Sequence, residues 1–257
     1  MLGPVLGTIL AGLLPKRKAI ALKNIKLCFP ELSSSAQRKL LRKHFQAMAI
    51  GFFELINGWW ASDKWLLKRV EIKGREYLEQ AIQEKRGVIL LGAHFTLIEL
   101  QGRMMRLCTN FDVTYRAMKN PLFNAVMLNN RARIYQNSIH KDDAKTLLRS
   151  LKQAHIVWLA PDQRFKHKAM VEADFFGQKI ATNPVTARLA KLTGARVVPV
   201  SARRLAGAKG YELEFMPPLE DFPSGDLEAD TQITNQIFET MIRKAPEQYF
   251  WVHDRFK

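Results

Sequence analysis

The segment LLGAHFTLIEL carries the two residues of this chain best suited to acid–base chemistry, His94 and Glu99. A neutral imidazole accepts a proton near neutral pH, and a carboxylate on its other ring nitrogen fixes tautomer and orientation. Five residues apart on one straight helix, the two side chains would point about 140° away from each other. They meet only if His94 lies in a turn ahead of a helix carrying Glu99, and Gly92 and Ala93 make such a turn possible. A histidine just before a helix N-terminus is also kept neutral by the helix dipole. The chemistry would be that of a Ser/His/Asp triad with a substrate hydroxyl replacing the serine, so that transfer is direct and forms no covalent enzyme intermediate. The spacing alone is a weak signal, and the alternative is a structural histidine near a strand end.

Two further polar residues follow apolar strand candidates. Arg116 follows DVTY and Asp162 follows HIVWLA, just as His94 follows GVILLGA. Ligands of open α/β sheets gather beyond the carboxyl ends of the strands, so three such placements predict one shared site. The remaining histidines (His44, His140, His155, His167 and His253) show no metal-ligand spacing or carboxylate partner, and HExxH, GxSxG, the P-loop and GxGxxG patterns are absent. Cys28 and Cys108 form neither CxxC nor Cys/His spacing and read as reduced, buried thiols.

Positioning these residues requires regular elements. SSSAQ supplies a capping serine, and Leu41, Phe45, Met48, Phe52, Leu55 and Trp59 recur at three and four, which predicts one long helix over 35–60. Its second half, AMAIGFFELINGWW, carries only Glu54 as a charge and ends in paired tryptophans. That face suits a hydrophobic core or a lipid interface. From Gly87 onward short apolar runs (GVILLGA, DVTY, HIVWLA, ARVVPVSA, YELEFMP) alternate with helical stretches over 95–107, 122–131, 142–152, 184–192 and 229–243. This is α/β sequence, most simply a mostly parallel sheet flanked by helices, with an N-terminal helical segment.

At 257 residues, with 47% apolar and 25% charged, the chain is long enough for one well-buried core. No repeat or linker divides it. A single domain over 1–257 is expected, with helices over 19–70 and the α/β core over 71–257. The opening run MLGPVLGTILAGLLP falls short of the about 20 apolar residues a spanning helix needs. Lys16, Arg17 and Lys18 follow it, so residues 1–18 read as the remnant of a membrane anchor, as a surface anchor, or as a buried helix. The 40 basic residues exceed the 24 acidic ones, for a net charge of +16. Such a surplus attracts nucleic acid, anionic lipid or an acidic protein.

Six ordered blocks carry a family pattern: NIKLCFPE (Asn24 to Glu31), GAHFTLIE, YRAMKNP (Tyr115 to Pro121), APDQ (Ala160 to Gln163), FFG (Phe175 to Gly177) and PEQYFWVHDRFK (Pro246 to Lys257). Over nearly its whole length the chain resembles the late, or secondary, acyltransferases of lipid A biosynthesis in Gram-negative bacteria, the lauroyl and myristoyl transferases. The resemblance implies a core of the glycerol-phosphate acyltransferase type. It implies transfer of a fatty acyl chain from acyl carrier protein to a hydroxyl of a lipid A precursor, at the cytoplasmic face of the inner membrane. HFTLIE matches the family's HX4D/E motif, which makes His94 the base and Glu99 its partner. The same resemblance adds Arg131 to hold a phosphate or the developing oxyanion, with Arg133 as its competitor. It also adds Asp162 to orient Arg131 or contact acceptor hydroxyls, and Gln163 to supply a hydrogen bond. Arg116, Lys119 and Asn120 are expected to bind an anionic head group. No metal or dissociable cofactor is expected, because transfer from a thioester needs neither. The acyl chain requires an apolar groove, which Trp59 and Trp60 or Met104 and Met105 are placed to line.

The chain departs from this pattern in its short apolar N-terminal run and in Asp174, which stands where the family usually has proline before FFG. Two other functions fit the residues: a sibling acyltransferase acting on another glycolipid or an aminolipid, and a non-catalytic basic module for membranes or nucleic acid. Acidic acyl carrier protein and phosphorylated lipid both suit the charge, so nucleic acid is not the expected partner.

Overall fold

The computed structural model describes residues 2–164 and 168–256, with only the backbone described for 2–4. His167 and Lys257 lie outside the described residues. Three helices come first: α1 (Leu2–Leu13), α2 (Pro15–Cys28) and α3 (Ser34–Trp60). Pro15 occupies the first position of α2, where a missing N–H costs nothing. Ser33 caps α3, its hydroxyl accepting from the Ala36 N–H at 3.2 Å. The long helix expected over 35–60 is therefore present.

A short α4 (Asp63–Leu67) leads into alternating elements: β1 (Val70–Lys73), α5 (Arg75–Gln83), β2 (Val88–Leu91), α6 (Ile98–Arg106), β3 (Asp112–Tyr115), α7 (Pro121–Ile134), β4 (Ser138–His140), α8 (Ala144–Lys152) and β5 (Ile156–Leu159). A hairpin of β6 (Val171–Phe175) and β7 (Gln178–Thr182) follows, then α9 (Val185–Thr193), β8 (Arg196–Arg204), β9 (Tyr211–Phe215) and α10 (Leu227–Lys244). Among the described residues one seven-stranded sheet has the order β1-β9-β8-β2-β5-β3-β4. All its pairs are parallel except β8 with β9. The strands β2 and β5 pair at the centre and are buried at every position, as strands covered on both faces must be.

The strands that the residue pattern did not predict are those with weak patterns. β4 has three residues, β1 alternates only between half-buried and exposed, and β6 and β7 mix charges with apolar residues. The hairpin turns through Phe176 and Gly177, both at positive φ, the pairing that a two-residue turn of this hand requires. Asp174 has a specific use here. Its backbone N–H donates to Gln232 Oε1 at 2.7 Å, which proline could not do, and its carbonyl accepts from Asn235 Nδ2 at 2.9 Å. That pair of bonds fastens the hairpin to α10.

α3 is divided between the two sides of its surface. Leu41, Phe45 and Trp59 are buried, whereas Phe52 and Trp60 are 62% and 55% exposed, with Phe53 and Ile56 beside them. Glu54 points inward and is held bidentately by Arg204 at the end of β8, at 2.7 and 2.6 Å. Gly51 and Gly58, on one face of α3, press against backbone. A Cβ would lie 2.5 Å from the Thr96 carbonyl oxygen in the first case and 2.9 Å from Glu99 carbonyl carbon in the second. Only glycines let α3 close this tightly on residues 96–100. No described helix is long and apolar enough to cross a membrane.

His44, also on α3, is fully buried and donates from Nδ1 to the Glu247 carbonyl at 3.2 Å. Burial lowers its pKa from the ordinary 6.5 to about 4. Between these values the unfolded chain holds the proton and the folded chain does not, so stability falls as pH falls through that window. The expected loss is about 3 kcal/mol. Thermal melting from pH 7 to pH 4 should show this loss in the parent and a smaller one in His44→Gln, which keeps a donor but does not titrate; equal losses would refute the assignment.

Candidate active site

The two central strands deliver the two halves of one pair. β2 ends at Leu91, and the Gly92 N–H extends its ladder to the Leu159 carbonyl at 2.9 Å. A side chain at Gly92 would collide with the indole of Trp158, whose Nε1 lies 2.7 Å from an ideal Cβ. His94 stands two residues further on. From the neighbouring strand β5, Ala160 and Pro161 lead to Asp162, which is fully buried. One carboxylate oxygen of Asp162 takes the His94 backbone N–H at 3.0 Å, and the other lies 2.6 Å from His94 Nδ1. Burial pushes the Asp162 carboxyl up, but the His94 charge, the two hydrogen bonds from His94 and the Arg255 charge outweigh it and hold the carboxyl below its ordinary value. A carboxylate beside Nδ1 makes that nitrogen the donor, so the lone pair of the neutral ring lies on Nε2. His94 is part-exposed, and among the described residues no group bonds its Nε2.

The pairing differs from the one expected. Glu99 does not hold His94, because α6 starts at Ile98 and not at Phe95. Residues 94–96 are instead paired with another segment. Phe95 forms an antiparallel bridge with Tyr249, Thr96 N–H donates to the Gln248 carbonyl at 2.8 Å, and Phe250 N–H donates to the His94 carbonyl at 3.0 Å. Glu99 falls in the first turn of α6 and faces away from that segment. Its Oε2 accepts from the Trp59 indole at 2.8 Å, and its Oε1 forms a very short ion pair with Arg131 Nη2. Nor does Asp162 orient Arg131, as the resemblance implied. Burial pushes the Arg131 guanidinium down, and the Glu99 charge and hydrogen bond outweigh it, leaving the group above its ordinary value. Beside this pair Ile98, Gly102, Met105, Phe111, Tyr135 and Trp158 line a crevice of about 10 Å³.

The other expected residues are spread out. Arg116 and Lys119 are exposed on the stretch after β3. Asn120 is committed to capping α7, its Oδ1 accepting from Phe123 N–H at 3.0 Å. Gln163 is half-buried and offers its carbonyl to Arg255 at 2.8 Å. Arg133 points away from Glu99 into a separate recess with Arg103 and Arg106. Of the paired methionines, Met104 and Met105 are both buried. The thiols of Cys28 and Cys108 are free, and burial raises the pKa of both.

Several residues that the family blocks contain without assigning them a role also close on the site. Tyr249 is buried against Asp162, and burial together with the Asp162 charge drives its phenol well above the ordinary range. His253 Nε2 accepts the Arg164 N–H at 3.0 Å. Burial lowers its pKa. Asn24, from the NIKLCFPE block, donates from Nδ2 to the carbonyls of Trp251 and His253 at 2.8 and 2.7 Å. These side chains lie far apart in sequence, and periodicity cannot bring them together.

A second Ser/His/Asp set is present but is not a triad. Ser150 Oγ and His155 Nδ1 both bond the same oxygen of Asp112, at 2.5 and 3.3 Å, so the serine gives its proton to the carboxylate and not to the imidazole. It also sits at the amino ends of β3 and β5. Among the described residues no cluster could hold a metal ion.

An α/β sheet that presents a carboxylate-held histidine at the carboxyl ends of its central strands places a candidate general base where ligands of such sheets gather. Comparison with known proteins makes this specific. The family model for bacterial lipid A biosynthesis acyltransferases matches residues 2–257, and the chain belongs to that family and is an acyltransferase. It is 34% identical to the lipid A biosynthesis palmitoleoyltransferase of Escherichia coli K12, covering 100% of this chain and 84% of that protein. It is 33% identical, with the same coverage, to the lauroyltransferase of that organism. Its myristoyltransferase is 27% identical over 90% of this chain and 72% of its own length.

The two pairs predict distinct energetic units. Glu99→Gln and Arg131→Met should couple by about 2–3 kcal/mol in unfolding free energy, whereas His94→Ala and Glu99→Gln should add within about 0.5 kcal/mol. Urea denaturation of the two cycles measures both; strong coupling between His94 and Glu99 would contradict the observed pairing.

Proposed function

We propose that the enzyme moves a fatty acyl chain from acyl carrier protein to a hydroxyl of a lipid A precursor, at the cytoplasmic face of the inner membrane. The observation that carries the reading is the buried Asp162 carboxylate on His94 Nδ1. The acceptor hydroxyl gives its proton to His94 Nε2 while its oxygen attacks the thioester carbonyl. The C–O bond forms, the tetrahedral oxyanion collapses, and the C–S bond breaks. The proton then passes from His94 to the departing thiolate, so neither a metal nor an acyl-enzyme is needed. Arg131, held by Glu99, supplies the positive charge that stabilises the oxyanion. Arg116 and Lys119 meet the anionic head group, with Gln163 beside the acceptor.

Two features support the setting. The net charge of +16 favours an acidic donor protein and a phosphorylated acceptor. The exposed apolar residues Val5, Ile9 and Leu13 of α1, Phe52, Phe53, Ile56 and Trp60 of α3, and Leu122 at the start of α7 make a surface suited to a lipid interface. The acyl chain would enter beside Met105 and Trp158.

The deciding assay follows labelled acyl transfer from acyl carrier protein to tetra-acylated and penta-acylated lipid A precursors. His94→Ala and Asp162→Asn should each lower kcat by about 10³-fold or more, with Tm showing that the proteins are folded. No transfer by folded parent protein, or a parent-like rate in His94→Ala, would sink the proposal.

A further inference from the structure

Next to the candidate active site lies a second recess that the reaction does not use. It has a volume of about 270 Å³ and is walled by Trp59, Trp60, Arg103, Arg106, Arg133 and Asp63. Three guanidiniums thus face one carboxylate. Arg103 is matched by Asp63 at 2.5 Å. Arg106 spends its Nε on the Ile134 carbonyl at 3.0 Å. Arg133 is exposed, and among the described residues it has no bonded partner. A cation in the last turn of a helix complements the helix dipole, and Arg103, Arg106 and Arg133 all sit in such turns. The dipoles do not account for the convergence of three arginines from two helices, α6 and α7, on one concavity. Like charges gathered on one recess repel each other, and Asp63 answers only Arg103.

The surroundings narrow the anion. Trp60 forms one lip and ends the exposed apolar side of α3, and tryptophan at that position marks the level of lipid head groups. Trp59 forms the wall between the two sites, since the same indole donates to Glu99 at 2.8 Å. α6 carries Glu99 and Arg103 one turn apart, and α7 carries Arg131 and Arg133. A molecule reacting at His94 can therefore rest an anionic group on the other side of Trp59. The fixed donor fork of arginine matches phosphate oxygens.

We infer that Arg133, with Arg106 and Arg103, forms a subsite for a phosphate ester of the substrate, in the recess between α3, α6 and α7. The inference rests on the acyltransfer reading above. The phosphate belongs to the lipid acceptor, whose head group would lie at the depth of Trp60. A phosphodiester carried by the acyl donor has the same chemistry and is separated by experiment.

The test uses the full chain with Arg133→Ala and Arg133→Lys. Rates are measured with phosphorylated and dephosphorylated glycolipid acceptors, and with acyl carrier protein and a phosphate-free thioester as donors. Arg133→Ala should lower kcat/KM for the phosphorylated acceptor about tenfold, the loss of one charge-assisted contact. It should have no effect with the dephosphorylated one, and Arg133→Lys should restore part of the loss. A loss that follows the donor phosphodiester would support the subsite and assign it to the donor. Parent-like kcat/KM in every combination would overturn the subsite while leaving acyl transfer intact. If the parent transferred nothing, the acyltransfer reading would fail. Tryptophan fluorescence with inorganic pyrophosphate would then decide alone: saturable quenching lost in Arg133→Ala supports the subsite, and its absence overturns it.

Discussion

Everything about the site depends on Asp162 being buried. A carboxylate taken out of water must be repaid with hydrogen bonds or charge, and here both repayments come largely from one residue. The backbone N–H and ring of His94 occupy separate carboxylate oxygens, so the loop after β2 and the loop after β5 are fixed by the same group. The parallel register that places Leu91 opposite Leu159 brings the two loops to the same level. The sheet provides the alignment, and the carboxylate turns the alignment into a tautomer.

The second pair gives the helices an analogous anchor. Glu99 ties α6 to α7 through Arg131 and to α3 through Trp59, in a region where Gly58 allows backbone to approach backbone. The apolar surface of α3, the Glu99 pair and the arginine recess therefore form a continuous block with little freedom to shift against one another. Close packing of this kind transmits displacement instead of absorbing it.

The strand runs GVILLGA, DVTY and HIVWLA and the long helix ending in Trp59 and Trp60 were legible because each has a strong period or an unbroken apolar stretch. His94 and Asp162 were legible as polar residues closing such strands. Which carboxylate faces which partner was not. The distance from His94 to Glu99 along the chain suggested a pair, but the backbone between them is used up in bridging Tyr249, and Asp162 arrives from 68 residues away. Arg131 and Arg133 look alike in LNNRARIY, and only the packing of α7 sends one to Glu99 and the other to the recess. The β6–β7 hairpin was hidden because charged residues interrupt its apolar alternation, and its bonds to α10 run through the backbone of Asp174 and Phe176.

The segment 248–255 has a consequence for how the molecule is made. It supplies the antiparallel partner of residues 94–96, receives the Arg164 N–H on His253, and is fastened to α2 by Asn24. A nascent chain leaving the ribosome therefore carries both His94 and Asp162 well before their surroundings exist. Only when this late segment folds back across the sheet does the histidine loop acquire its ladder. The order of synthesis thus leaves the His94 loop without its bridging partner until residues 248–255 have been made.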